Sequence, residues 1–342
     1  MQSHVSLQPF NTLAIDVEAE HYVSLNQLED LKAALDYAIE HSLHVLPMGG
    51  GSNTLFTENF SGLVIHNQLS MCNLIQEDEE SVLIEVASGG SWHTLVGLCV
   101  KQGWYGIENL ALIPGTTGAA PIQNIGAYGV ELADVFESLD YVSLDHHDPD
   151  AAELNIRTLD KDACNFAYRD SIFKHQLNNT CFITCIRLRL NKKPRVSITY
   201  PPLAAWLKKQ ELPATPENIF KAVCAIRSSK LPDPSNIPNA GSFFKNPIIG
   251  LTQYGKLLKL HPDIIAFPAG KSQMKLAAGW LIEQCGWKGK TINGIGMHEQ
   301  QALVLINPGK ASGTDILNFA YSVAQAVRDK YNVELEIEPV IY

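Results

Sequence analysis

From Gly106 to Gly129 the chain carries a single charged residue, Glu108, and is punctuated throughout by Gly and Pro. No regular helix or strand runs through such a stretch. A loop this long inside a compact region is usually functional. Its centre reads Ile113-Pro-Gly-Thr-Thr-Gly-Ala-Ala-Pro-Ile-Gln-Asn-Ile-Gly-Ala-Tyr-Gly129. These residues are small and rich in backbone donors. A large planar or pyrophosphate-bearing ligand needs such a wall, because bulky side chains would block its approach. A tightly packed core crossing would have the same composition, so the segment alone leaves both readings open.

The pattern around this wall predicts an α+β chain with several small sheets rather than one doubly wound sheet. Leu28, Leu31, Leu35, Ala38 and Ile39 form a helical stripe, with Asn26 and Glu29 as a capping box. A strand follows at Leu43–Met48, then the loop Gly49-Gly-Gly-Ser-Asn53, then a strand near Leu63–His66. The loop can present N–H groups to an anion or simply turn the chain. Its spacing matches neither the Rossmann fingerprint nor a phosphate-binding loop with its Lys.

A second unit begins near Met71. Val82, Ile84 and Val86 alternate as in a strand, and Ser91 to Gln102 reads as a helix ended by Gly103. Phe136–Asp145 and Cys181–Leu190 read as strands. A third unit starts near Pro213, with Thr215 as cap and Pro216 at the first helical position. Helices are predicted at 216–229, 252–260, 275–285 and 314–330, with a strand at Gln301–Asn307. The last strand, Val333–Glu338, alternates three apolar residues with Glu334, Glu336 and Glu338.

Composition excludes some classes of function. The 342 residues are 46% apolar and 18% charged, which suits a globular protein. A net charge of −10 argues against a general nucleic-acid binder. No run of eighteen apolar residues suggests a membrane span, and the start lacks the pattern of a secretory signal. Seven scattered cysteines without a CxxC pair fit a reducing, cytoplasmic setting, as small buried hydrophobes. His146 and His147, in Asp145-His-His-Asp-Pro-Asp150, fit a solvated hairpin loop better than a metal site. No metal is expected, and a monomer is.

Three further segments concentrate polar chemistry. Arg169 sits among aromatic neighbours in Phe166–Lys174, either paired with Asp170 or held as a cation for a carboxylate. Arg227-Ser-Ser-Lys230 ends a predicted helix, where cations are favourable in themselves. Asn239-Ala-Gly-Ser-Phe-Phe-Lys-Asn246 gathers a hydroxyl, amides, an ammonium and two aromatics around one glycine.

Together these segments resemble the UDP-N-acetylenolpyruvoylglucosamine reductase (UDP-N-acetylmuramate dehydrogenase) family. The matching stretches are Asn11–Ile15, Gly49–Asn53, Ile113–Gly129, Tyr168–Phe173, Asn239–Asn246 and Lys275–Leu281, in family order over essentially the whole chain. Ile198-Thr-Tyr-Pro-Pro202 resembles the longer, type I form. The resemblance implies a vanillyl-alcohol-oxidase-like FAD-binding fold. Two small α+β domains, 1–70 and 71–212, would hold FAD. A third α+β domain, 213–342, would bind substrate, its last strand returning to the flavin domains.

FAD contacts are implied at Gly49, Gly50, Gly51, Ser52 and Asn53. Along the wall they are implied at Pro114, Gly115, Thr116, Gly118, Ala119, Gln123, Asn124, Gly126, Ala127 and Tyr128. Arg169, Ser242 and Glu338 fall on catalytic positions. Tyr168, Tyr200, Lys230 and Asn246 fall on positions that hold the nucleotide sugar. Here the family's closing Leu-Glu-Pro-Glu motif reads Leu335-Glu-Ile-Glu-Pro339, so Glu336 rivals Glu338. The implied reaction uses NADPH as co-substrate. A hydride passes through FAD to the enolpyruvyl methylene, and Ser242 gives the proton.

Overall fold

The computed structural model describes residues 1–342. Its contacts divide the chain into two units. The first comprises Met1–Val5, Ala19–Gly50 and Phe60–Ser229; the second comprises Ser6–Glu18, Gly51–Asn59 and Lys230–Tyr342. The sequence division at 70 and 212 follows chain order. The compact units do not, because two short N-terminal segments join the C-terminal one. Seven α-helices form: α1 Glu29–Glu40, α2 Trp92–Gln102, α3 Pro201–Lys209, α4 Pro216–Lys230, α5 Leu251–Leu260, α6 Ala278–Gln284 and α7 Gly313–Tyr331.

The first unit is built on an antiparallel sheet of five strands. In spatial order they are Ile156–Asp160, Phe136–Ser143, Cys181–Asn191, Ser81–Ala87 and Cys72–Glu77. Val82, Ile84 and Val86 all point to one buried face, as their alternation predicts. There they pack against Leu95, Val96 and Cys99 of α2 and Ile219, Ala222 and Val223 of α4. Val142 and Phe182 join a second core with Leu31 and Leu35 of α1 and Leu63 and Ile65. Those last two residues belong to a four-stranded sheet, in the order Gln2–Ser6, Glu18–Leu25, Phe60–Asn67, Val45–Met48.

The helix ends show which local signals hold. Ser91 caps α2 through the Thr94 N–H, and Gly103 closes it at φ +76°. Thr215 Oγ1 accepts from Asn218 at the start of α4. Helix α1 departs from expectation. It starts after Leu28 without a side-chain cap, and the Asn26 amide turns back to Ser24 instead. Ala34 completes its buried stripe, while Ile39 is 46% exposed. The histidine loop is exposed, as expected, except at His147, whose side chain is buried with Nε2 2.7 Å from Asp36 of α1. Burial pushes the thiols of Cys164, Cys181 and Cys185 up to about 12, so they behave as apolar packing groups.

In the second unit, Asn239–Ser242, Val304–Ile306, Ile295–Met297 and Thr291–Ile292 form one sheet. Ile248–Gly250, Gln273–Leu276 and Ala266–Ala269 form another. Helix α6 starts at Ala278 rather than 275, because Asn246 Oδ1 accepts the Ala278 N–H at 2.9 Å and caps it there. The segment 333–338 is not a strand of either sheet. It runs beside Phe243–Lys245 through Glu338 N–H to Phe243 O at 2.9 Å and Lys245 N–H to Glu336 O at 2.9 Å. Val340–Ile341 then pairs in parallel with Thr54–Leu55. No helix is long and apolar enough to cross a membrane.

Gly313 opens α7 directly against the Phe56 carbonyl, where an added Cβ would lie 1.6 Å from the oxygen. Gly313→Ala should therefore lower stability by about 1–3 kcal/mol, read from the urea midpoint. An unchanged midpoint would show that this contact yields freely.

Candidate active site

Two stretches of glycine-rich backbone meet in the first unit. A Cβ on Gly49 would sit 2.5 Å from Thr116 Oγ1, and one on Gly50 would reach Gly115 Cα at 3.5 Å. The loop and the wall are therefore neighbours, and side chains at these glycines would separate them. Within the wall, Thr117–Gln123 forms a 3-10 helix pinned from below: Thr117 N–H bonds Gly90 O at 2.9 Å and Gly118 N–H bonds Ser88 O at 2.8 Å. Pro114 is exposed, while Ala119, Gly126 and Ala127 are partly open.

Strain gathers at the wall's ends. Leu112, Asn124 and Tyr128 all adopt positive φ, which non-glycine residues take at a cost of about 1–2 kcal/mol each. Asn124 tolerates this because its side chain replaces missing backbone partners. It donates to Glu131 and to Ala167 O and accepts from Ala133. Asn109 does the same for Tyr128 O and Ser197 O. Sequence reading gave Asn109 no role, since its partners lie far along the chain.

Arg169 stands at the third position of a tight turn closed by Ala167 and Asp170, which exchange both backbone hydrogen bonds. Its φ is +53°, a place normally taken by Gly or Asn. Its Nη2 donates to Gly126 O at 2.6 Å, and its guanidinium lies 5.4 Å from the Tyr168 ring centroid. Ser171 Oγ ties the same turn to Ile122 O. Asp170 pairs with His175, 2.8 Å away. Tyr128 packs edge-on against Tyr200, with centroids 5.1 Å apart.

In the second unit, three buried asparagines shape the Ser242 region. Asn239 donates to Pro232 O and Ile237 O and accepts from the Gly241 N–H. Gly241 takes φ +70°, and Ser242 emerges exposed. Asn11 closes its loop through Leu7 O, Ile15 O and the Ile15 N–H. Asn307 reaches Leu13 O and Ala311 O. The Asn11 loop thereby links Gly51, whose carbonyl accepts from Thr12, to Asn239, which donates to Thr12 O.

Glu338 lies opposite Phe243, the residue after Ser242. Asn53 braces it, accepting from the Val340 N–H and donating to Glu338 O at 3.4 Å. Glu336 diverges: it pairs with Lys245, and its side chain is 69% exposed. Lys245, whose own side chain is largely buried, is thus engaged by Glu336. Lys230, at the end of α4, is exposed, and Asn246 has its capping role at α6.

FAD would need amide donors for its pyrophosphate and a wall without side chains. The N–H groups of Gly50, Gly51 and Ser52 donate to no acceptor in the chain, Gly51 being itself buried at φ +55°. Thr12 Oγ1, beside Gly51, is sealed from solvent with no partner. Orphaned donors in a glycine loop are what an anionic cofactor satisfies. Residues 19–145 match the FAD binding domain family. Residues 233–342 match the C-terminal domain of UDP-N-acetylenolpyruvoylglucosamine reductase.

The full-length relatives decide the matter. The UDP-N-acetylenolpyruvoylglucosamine reductase of Pseudomonas syringae pv. syringae is 42% identical over 343 residues, covering 100% of this chain and 99% of its own. That of Aliivibrio fischeri is 44% identical over 337 residues, covering 98% and 93%. The chain belongs to the UDP-N-acetylenolpyruvoylglucosamine reductase family. The crystal structure of the Thermus caldophilus reductase shares the fold, with TM-score 0.68 at 22% identity over 99% of this chain and 98% of that one. The chain is accordingly an FAD-containing oxidoreductase of peptidoglycan synthesis, with the α+β flavin fold expected from the sequence.

Membership of this reductase family gives the buried asparagines a purpose. Asn239→Ala would strand the Gly241 N–H and two carbonyls. It should cost about 2–4 kcal/mol in urea unfolding and reduce turnover more than FAD content. Unchanged stability would remove Asn239 from this bracing role.

Proposed function

We propose that the protein reduces UDP-N-acetylglucosamine enolpyruvate to UDP-N-acetylmuramate with NADPH as reductant. The observation that supports this most is the pairing of Glu338 with the residue after Ser242, on backbone braced by Asn239 and Asn53. It sets a hydroxyl and a carboxyl group on neighbouring chain segments within one unit, while Glu336 is spent on Lys245. FAD, held by the Gly49–Asn53 loop and the Pro114–Tyr128 wall, would supply the hydride-transfer chemistry between NADPH and the enolpyruvyl methylene carbon.

The chain's own residues supply position, charge and a proton. The Gly49–Asn53 loop and the Pro114–Tyr128 wall hold the cofactor through backbone amides. Negative charge develops on the carbon next to the methylene and spreads into the carboxylate. Arg169, locked by its turn, stabilises that charge, and Glu338 assists. Ser242 donates the proton that completes reduction. Tyr168, Tyr200, Lys230 and Asn246 hold the nucleotide sugar.

Purified protein should be yellow with flavin absorbance, and NADPH oxidation should depend on the enolpyruvyl nucleotide sugar. Colourless protein that FAD cannot reconstitute would sink the reading, and substrate-independent NADPH oxidation would point to another flavoenzyme. Ser242→Ala should leave flavin reduction by NADPH nearly intact while slowing reoxidation by substrate by about 100-fold or more. Equal loss in both half-reactions would remove Ser242 from the proton-donor role.

A further inference from the structure

The wall proposed above to hold FAD is pinned at its entry by the first turn of α2. Trp92 N–H donates to Gly115 O at 3.1 Å, and Trp92 Nε1 donates to Leu110 O at 3.0 Å. Between these two points the Leu112 N–H donates to His93 Nδ1 at 3.1 Å. Leu112 stands at φ +56°, a conformation that a leucine keeps only when it is held there. Ile113 follows it, and then Pro114, exposed at the start of the wall.

The acceptor at His93 differs in kind from the other two. A carbonyl oxygen accepts throughout the range in which the protein is folded, whereas an imidazole nitrogen accepts only when it carries no proton. The bond therefore sets the ring as neutral, with its hydrogen on Nε2. Its surroundings favour that form. The ring is half-buried and stacks on Phe220 of α4, with centroids 5.6 Å apart and planes 5° from parallel. The charged group acting on it is Arg227, also of α4. Burial pushes the His93 pKa down, and the Arg227 charge works in the same direction.

We propose that His93 is a positioning residue for the cofactor, its unprotonated Nδ1 fixing Leu112 and so the Pro114–Gly115 start of the wall that meets FAD. The inference rests on the placing of FAD along that wall and adds a proton-sensitive latch to it. Protonation turns Nδ1 from acceptor to donor, sets two N–H groups against each other and frees Leu112 to leave the left-handed region. His93 acts through Leu112 rather than by touching flavin or substrate. FAD retention is therefore full above the ordinary histidine range. It is lost progressively as pH falls below that range towards the depressed value of the FAD-bound protein.

The test follows FAD leaving the holoprotein on dilution, through the gain in flavin fluorescence, and yields the Kd for FAD. His93→Phe keeps a ring against Phe220 and removes the acceptor. His93→Asn gives up the stack, but its Oδ1 can take the place of Nδ1 and does not titrate. At about pH 8, His93→Phe should raise Kd about tenfold, and His93→Asn should stay within about threefold of the parent. Between about pH 8 and about pH 5, Kd of the parent should rise at least about fivefold more than that of His93→Asn. That second comparison carries the test if the Phe variant does not fold. Equal Kd for the parent and His93→Phe would overturn the assignment. So would binding by His93→Asn as weak as that of His93→Phe, or parallel pH curves for the parent and His93→Asn. Parent protein that holds no FAD would instead overturn the placing of the cofactor on which the inference rests.

Discussion

The fold's irregular regions depend on buried asparagine side chains that stand in for backbone. Asn11, Asn67, Asn109, Asn124, Asn239 and Asn307 are all buried. A glycine-rich wall and tight loops leave N–H and C=O groups without ladder partners, and burying such groups unpaired is costly. An asparagine amide carries both donors and an acceptor in the geometry of a peptide group, so one side chain can satisfy two or three of them. Asn124 ties the wall to the Arg169 turn, and Asn239 fixes the turn that presents Ser242. Asn67 repeats the device, donating to Ser88 and accepting from Leu69.

With the backbone secured in this way, the site can hold conformations that would otherwise relax. Arg169 in the left-handed region is the sharpest case. Glycine there would remove the strain and the cation together, so the turn keeps an arginine at a local cost that the surrounding bonds offset. The same economy explains the glycine loop, whose amides stay unpaired within the chain and so remain available to an anionic ligand.

Features governed by local physics were legible in the sequence. Val82, Ile84 and Val86 alternate as read, Gly103 closes α2, and Thr215 caps α4. The wall and the loop were recognisable as unusual backbone from composition alone. What depends on distant contacts was not legible. Asn109 and Asn307 look unremarkable until their partners, 88 and 294 residues away, are known. The period-two pattern at 333–338 suggested equivalent glutamates, but the segment follows Phe243–Lys245, and Glu336 pairs with Lys245. Arg227 sits where a helix end suits a cation, but its Nε is sealed from solvent, which no local pattern reveals.

Two glutamates two residues apart are held differently. One is held beside the Ser242 segment by main-chain bonds, and the other faces solvent against a lysine. The most direct measurement is stopped-flow reoxidation of pre-reduced flavin by the enolpyruvyl nucleotide sugar, with Glu338→Gln and Glu336→Gln compared side by side. Glu338→Gln should slow the step by about 100-fold or more, and Glu336→Gln should stay within about threefold of the parent protein. The opposite order, or equal loss in both, would contradict the assignment of Glu338.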